Sequence, residues 1–166
     1  MADESGSSLS SGKARPSSSP FQETVSLPAR RFNLLLAEDN LPDTLLVREA
    51  IQSENLPLDL YVVPDGEKAI DFIAQAEQDA SAPCPHFLLL DLNLPKRDGF
   101  EVLRRLRASN KCKDVPVLII TSSDSPSDLS EAAALGAGYF RKPPSYEEFL
   151  KLGGRLKQML QDRGVI

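Results

Sequence analysis

The segment Phe87-Leu88-Leu89-Leu90-Asp91 places a carboxylate directly after four consecutive apolar residues. Such an unbroken apolar run is typical of a strand in a parallel sheet that helices cover on both faces. Other short apolar or aromatic runs end at or near Glu38-Asp39, Thr121 and Lys142. Because ligands bind outside the carboxyl ends of parallel strands, these reactive side chains are expected to meet at one edge of a sheet.

From Asn33 onward, apolar runs alternate with segments of helical period, a pattern that predicts an α/β fold with a parallel sheet. Five strand–helix units are predicted, with strands at residues 33–38, 58–63, 86–91, 116–121 and 138–141. The second strand alternates apolar and polar residues and the fifth is short, so both suit the edges of the sheet. The first, third and fourth strands are therefore expected in its centre.

The chain has 166 residues, a length that favours one domain. Residues 1–30 are rich in Ser and Pro with scattered apolar residues, so we expect a disordered N-terminal tail followed by a domain at 31–166. The net charge of −5 argues against nucleic-acid binding and favours protein partners. Without a membrane-spanning run or a signal peptide, no membrane association is expected, and the predicted location is cytoplasmic.

Local patterns add two further expectations. Cys84 and Cys112 lack metal-ligand spacing and accompany no secretion signal, so they are predicted to be free thiols. Capping boxes predict three helix starts, from the pairs Asp98 with Glu101, Ser125 with Asp128, and Ser145 with Glu148.

The strand-end residues form a set with a specific chemistry. Carboxylates of Glu38, Asp39 and Asp91 placed close together would repel by about 4 kcal/mol per pair at about 4 Å and an effective dielectric constant of about 20. A divalent cation relieves this repulsion, and oxygen ligands suit Mg²⁺. Asp91 could then attack a phosphoryl group and carry it as a mixed anhydride, while Lys142 supplies a point charge for a phosphoryl oxygen.

Four motifs occur in a characteristic order and spacing within about residues 33 to 160: Leu34-Leu35-Leu36-Ala37-Glu38-Asp39-Asn40, Leu89-Leu90-Asp91-Leu92-Asn93-Leu94-Pro95 with Asp98-Gly99, Thr121-Ser122, and Lys142-Pro143. Together they resemble the receiver domains of two-component response regulators, of the chemotaxis type that stands alone. The resemblance implies a flavodoxin-like (βα)5 three-layer sandwich whose parallel five-stranded sheet has the order 2-1-3-4-5. An insertion before the third strand looks most like the small regulators paired with phytochrome-type kinases.

The resemblance also implies a function for the acidic residues. Asp91 would accept a phosphoryl group from a sensor histidine kinase or a phosphotransfer protein. Mg²⁺ would be held by Asp39, Asp91 and the backbone carbonyl of Asn93, with Glu38 acting mainly through water. Such a regulator is a signalling protein rather than an enzyme, although it promotes its own phosphorylation and dephosphorylation.

The resemblance also implies a conformational switch that passes the signal to a downstream protein target. Thr121 would move to bind the phosphoryl group, and Tyr139 would swing inward behind it, changing the surface of the fourth helix, fifth strand and fifth helix. A kinase partner or a homodimer interface is expected to supply part of the switching free energy. The peptide between Lys142 and Pro143 is expected to be cis.

Two other functions compete with this interpretation. A degenerate receiver would serve only as a protein-binding module, but the acidic pair, Asp91, Thr121 and Lys142 are all present. A phosphatase of the haloacid-dehalogenase type would also use a strand-end Asp with Mg²⁺. It usually needs a second Asp two residues later as general acid, where this chain has Asn93.

Overall fold

The apolar runs form a five-stranded parallel sheet in the computed structural model, which describes residues 30–164. The strands are β1 (Phe32–Ala37), β2 (Leu58–Val63), β3 (Phe87–Leu90), β4 (Val117–Thr121) and β5 (Gly138–Arg141). The helices are α1 (Leu41–Ser53), α2 (Gly66–Gln78), α3 (Gly99–Arg107), α4 (Pro126–Ala134), α5 (Tyr146–Phe149) and α6 (Lys151–Asp162). The predicted tail at 1–30 falls, except for Arg30, outside the described residues and stays a prediction.

The strand order is β2-β1-β3-β4-β5, which confirms the expected order and both predicted edge strands. Two strands end one residue earlier than predicted, since Glu38 and Asp91 follow β1 and β3 rather than closing them. Ala37 pairs with Leu90 in the register of β1 and β3. The residues that follow them, Glu38 and Asp91, therefore leave the sheet at the same level. This register brings the two acidic positions together.

Helices cover both faces of the sheet, as expected for a three-layer sandwich. Alternate residues of β1 point to opposite sides, so Leu34 packs in the core layer of α1 and α6, whereas Leu35 packs in that of α2 and α3. The side chains of Leu34, Leu35, Leu89 and Leu90 are at most 1% exposed. Burial of a leucine side chain contributes about 1.5–3 kcal/mol, so these central strands hold the layers together.

Two of the three predicted capping boxes have their expected hydrogen bond. Asp98 accepts from the backbone N–H of Glu101 at the start of α3, and Ser145 caps α5 in the same way. The third is wrong in detail, because Ser125 makes no side-chain cap bond. Asp128 instead accepts a 2.8 Å hydrogen bond from the hydroxyl of Ser123, five residues upstream.

The prediction of free thiols is wrong. Cys84 and Cys112 form a disulfide, with their Cα atoms 5.6 Å apart and a sequence separation of 28 residues. The bond joins the segment after α2 to the segment after α3, at the edge of the sheet where β3 and β4 begin. The pairing of β3 with β4 and the packing of α2 beside α3 bring these two segments together, and the spacing of the cysteines alone does not predict it.

Two remaining expectations concern single peptides and membranes. The peptide between Lys142 and Pro143 is trans, because the described residues contain no cis peptide bond, and the expectation of a cis bond is therefore wrong. The trans form is the lower in free energy for most X–Pro bonds, by about 0.5–1 kcal/mol. Among the helices within residues 30–164, none is long and apolar enough to cross a bilayer.

Candidate functional site

The loop from β1 to α1 supplies the first acidic residues of the site. Glu38 is only 2% exposed, and its backbone N–H bonds the carbonyl of Val63 on β2 at 3.0 Å. Asn40 donates from its backbone N–H to Glu38 Oε2 at 3.2 Å, and its side-chain oxygen caps α1 by accepting from the N–H of Asp43 at 2.9 Å. Asp39, between them, is exposed. The cap therefore fixes the geometry of the whole loop.

The end of β3 supplies Asp91, which is 5% exposed. Its backbone N–H bonds the carbonyl of Ala37 at 3.1 Å, and its Oδ1 accepts from the backbone N–H of Asn93 at 3.1 Å. Gly99 packs against this turn so closely that an added Cβ would lie 2.5 Å from the carbonyl oxygen of Asp91. The start of α3 thus packs closely against the turn that orients the Asp91 carboxylate.

Lys142 joins these acidic groups. Its Nζ donates to Glu38 Oε1 at 2.9 Å, to Asp91 Oδ2 at 3.1 Å and to Asp43 Oδ2 at 2.7 Å. Its backbone N–H bonds the carbonyl of Thr121 at 2.7 Å, which fixes the start of the β5–α5 loop. Sequence reasoning predicted Lys142 but missed Asp43, because an acid in the first turn of a helix usually serves only the helix dipole.

Burial and charge shift the ionisation of the two central groups. Burial, aided by the negative charge of Asp91, raises the pKa of Glu38 from 4.5 to about 7, although the hydrogen bond from Lys142 opposes the rise. For Lys142, burial alone would lower the pKa. The hydrogen bonds to Asp43 and then Glu38 outweigh that effect, so the lysine pKa lies above its usual value and the side chain stays charged.

The acidic cluster has the donor set of a hard divalent cation. Glu38, Asp39 and Asp91 each offer a carboxylate oxygen, and these oxygens all lie within 4.8 Å of one another. Hard oxygen donors with one exposed and two buried members suit an ion that keeps part of its water shell, as Mg²⁺ does. The predicted metal residues therefore do come together, and Asn93 follows Asp91 in the same turn.

The two predicted switch residues meet at a third residue, Ser123. Thr121 is fully buried, and its Oγ1 accepts a 3.2 Å hydrogen bond from the backbone N–H of Ser123. Tyr139 is half-buried, and its hydroxyl donates to the backbone carbonyl of Ser123 at 2.7 Å. Since the Ser123 hydroxyl binds Asp128 at 2.8 Å, the β4–α4 loop is held from several sides.

The chain is similar in sequence to a known protein family and to individual proteins. The model of the response regulator receiver domain family matches residues 34–152. Response regulator Rcp1 of Synechocystis sp. is 32% identical over 120 residues, which cover 72% of this chain and 82% of that protein. The probable methanogenesis regulatory protein FilR2 of Methanothrix harundinacea is 31% identical over 128 residues, covering 76% of this chain and 82% of that protein.

Solved structures show the same fold. The phosphorylated cyanobacterial phytochrome response regulator RcpA superposes with a TM-score of 0.70 at 29% identity, covering 78% of this chain and 93% of that one. The Mn²⁺-bound form of Rcp1 gives 0.69 at 30% identity, with 76% and 92% covered. The bacteriophytochrome response regulator AtBRR gives 0.64 at 31% identity, with 83% and 96% covered. These matches leave the haloacid-dehalogenase alternative without support.

Proposed function

This chain belongs to the response regulator receiver domain family, and from that premise we propose that it receives a phosphoryl group on Asp91. Response regulators of this kind are signalling proteins and are generally not classed as enzymes. The observation that carries the proposal is the buried Asp91 carboxylate, which lies against Lys142 within a cluster of three acidic groups. One relative of the same fold was solved in a phosphorylated form, which supports the assignment.

The transfer itself is a displacement at phosphorus. An Asp91 oxygen attacks the phosphorus of a phosphohistidine, a new P–O bond forms, and the P–N bond breaks as the imidazole leaves. Lys142 Nζ, already at 3.1 Å from Asp91, is placed to bind an oxygen of the incoming group. Mg²⁺, when bound, neutralises charge on the carboxylates and the phosphoryl oxygens. Asp39, Asp91 and the carbonyl of Asn93 would hold it, with Glu38 acting through water.

We propose that Thr121 and Tyr139 pass the change to the surface. A phosphoryl group that attracts the Thr121 hydroxyl would break its bond with the Ser123 N–H. The Ser123 carbonyl would then move away from Tyr139, which can pack further inward. A change in the β4–α4 loop alters the face formed by α4, β5 and the final helical segments α5 and α6, where a downstream protein would bind.

The names of relatives support a proposal for the partners. Names of several similar structures refer to phytochromes or bacteriophytochromes, which supports a sensor histidine kinase of the phytochrome type, or a phosphotransfer protein, as the donor. We propose that the chain acts in the cytoplasm as a stand-alone receiver at 31–166 with an N-terminal tail at 1–30. A homodimer is proposed as an additional source of switching free energy.

Intact-protein mass after incubation with an acyl phosphate and Mg²⁺ tests the proposal. The wild type is expected to gain one phosphoryl group only when Mg²⁺ is present, and Asp91→Asn is expected to gain none. Asp59→Asn, which alters an exposed carboxylate paired with Arg31 on the edge strand, is the matched control and should behave like the wild type. A folded wild type that gains no mass would favour the degenerate binding module instead.

A further inference from the structure

Lys142 has one more carboxylate partner than the proposed function uses. Glu38 and Asp91 belong to the acidic cluster that a cation would occupy, whereas Asp43 does not. The bond from Lys142 Nζ to Asp43 Oδ2, at 2.7 Å, is nevertheless the shortest of the three. When a cation takes the other two carboxylates, Asp43 is the partner that the ammonium can keep.

The structure holds Asp43 firmly in this position. Its backbone N–H bonds the side chain of Asn40, which also reaches Glu38 through its own N–H, so the helix cap links Asp43 to the acidic loop. Pro42 precedes it in the first turn of α1 and restricts the backbone. The Asp43 side chain is 25% exposed, compared with 0% for Glu38 and 6% for Asp91. Asp43 can therefore bind the Lys142 ammonium at the more exposed side of the site.

A helix-dipole role alone does not account for this arrangement. The other helices with acids in the first turn include α2 with Glu67 and α3 with Glu101. Neither of these carboxylates contacts Lys142, whose three ion pairs in the described part of the chain are with Glu38, Asp43 and Asp91. Asp43 thus combines a common helix position with a specific contact to the site.

We propose that Asp43 is a positioning residue that retains the Lys142 ammonium when a divalent cation binds Asp91 and its acidic neighbours. In the wild type, the charge of the entering cation repels the Lys142 ammonium and weakens its contacts with Glu38 and Asp91. The contact with Asp43 compensates for that loss and keeps the ammonium beside the site. Asp43 thereby increases the affinity for Mg²⁺, an inference that rests on the proposed function of the acidic cluster.

A double-mutant cycle with Mg²⁺ alone as the probe separates this role from a general charge effect. Backbone amide NMR shifts of Asn93 and Gly99 would be followed during Mg²⁺ titration of the wild type, Asp43→Asn, Lys142→Met and the double variant. Asp43→Asn is expected to weaken Mg²⁺ binding by about three- to tenfold when Lys142 is present, and by less than about twofold in the Lys142→Met background.

Controls keep the result interpretable. Glu101→Gln removes a first-turn acid that does not contact Lys142, and it should change Mg²⁺ affinity by less than about twofold. Thermal unfolding checks that each variant is folded, and Asp43→Ala repeats the cycle if Asp43→Asn does not fold. Asp43→Glu, which keeps the charge on a longer side chain, is expected to recover part of the lost affinity.

Either of two results would overturn this inference without affecting the proposed function. Equal weakening by Asp43→Asn with and without Lys142 would show that Asp43 acts only through its charge. An unchanged affinity in Asp43→Asn would show that the carboxylate has no part in metal binding. A folded wild type that binds no Mg²⁺ would overturn the proposed function as well, so the two failures are distinguishable.

Discussion

At the scale of single residues, the site has an excess of negative charge in a confined space. Four carboxylates, from Glu38, Asp39, Asp43 and Asp91, surround or adjoin the single ammonium of Lys142. Retention of a proton by Glu38, whose pKa is raised to about 7, is one way to relieve the repulsion. Binding of a divalent cation is another. The cluster is therefore held in a state that favours the arrival of positive charge.

Another carboxylate, away from the site, makes stability depend on pH. Arg105 on α3 donates to Glu77 on α2, with Nη1 at 3.0 Å from Oε2 and Nη2 also bonded to Oε1. The hydrogen bonds from Arg105, and then that from Ser109, lower the pKa of Glu77 from 4.5 to about 2. Because the folded-state pKa is lowered, the pair stabilises the fold fully above about pH 4.5 and progressively less as the pH falls toward 2.

We therefore expect Glu77→Gln to lower the melting temperature at neutral pH. The difference from the wild type should shrink between pH 4.5 and 2, where the wild-type carboxylate becomes protonated. Melting curves across this pH range measure the effect, with Glu147→Gln on the exposed face of α5 as the control. A difference that stays constant down to pH 2 would contradict the assigned role of the ion pair.

At the scale of helices and strands, two adjacent glycines of α6 have opposite surroundings. A Cβ added at Gly153 would lie 2.3 Å from the backbone carbonyl oxygen of Ala50 on α1, whereas one added at Gly154 would meet no atom within 4 Å. Gly153 therefore allows α6 to approach the C-terminal end of α1 closely. Gly154 has no comparable packing role.

Substitution of each glycine by alanine should consequently have opposite effects. Gly153→Ala is expected to lower the free energy of unfolding by about 1–3 kcal/mol through overpacking. Gly154→Ala should raise it by about 0.5–1 kcal/mol, because alanine loses less backbone entropy in a helix. Urea unfolding of both variants measures the two values. Stabilisation by Gly153→Ala would show that α1 and α6 are not in close contact.

At the scale of the whole molecule, the disulfide restrains the edge of the sheet opposite the acidic site. Lys111, next to Cys112, adds a second connection, because its Nζ bonds the carbonyls of Ala76 and Ala82 at 2.7 and 2.8 Å. The two loops that precede β3 and β4 are thus joined both covalently and by hydrogen bonds. These hydrogen bonds do not involve the cysteine sulfurs, so the reduced protein is expected to fold.

Reduction should still lower stability. A cross-link that spans 28 residues is worth about 3–4 kcal/mol in the chain-entropy account of disulfides. We expect a reductant to lower the free energy of unfolding of the wild type by about 2–4 kcal/mol. The double variant Cys84→Ser with Cys112→Ala should show the lower stability whether or not reductant is present. Denaturant unfolding with and without reductant measures both, and a wild type unaffected by reductant would contradict the cross-link.

Much of the molecule could be predicted from the chain because the relevant signals are local. Apolar runs such as residues 87–90 mark buried strands, and Asp98 and Ser145 mark helix starts. The position of Asp91 after its strand placed it at the edge where ligands bind. The prediction of the third helix cap was wrong because Asp128 accepts a hydrogen bond from Ser123 and Ser125 makes no cap bond.

The sequence by itself determined the layered α/β fold, the two edge strands and the group of residues at the edge of the sheet, since these depend on periodicity and on which side chains follow the apolar runs. The order of the strands was implied by the resemblance to receiver domains. The tertiary structure alone decided which partners those residues have. Asp43 reaches Lys142 across 99 positions of the chain, and Cys84 meets Cys112 where the segments after α2 and α3 come together. Such contacts depend on how helices pack against the sheet, and no local pattern in the chain records that packing.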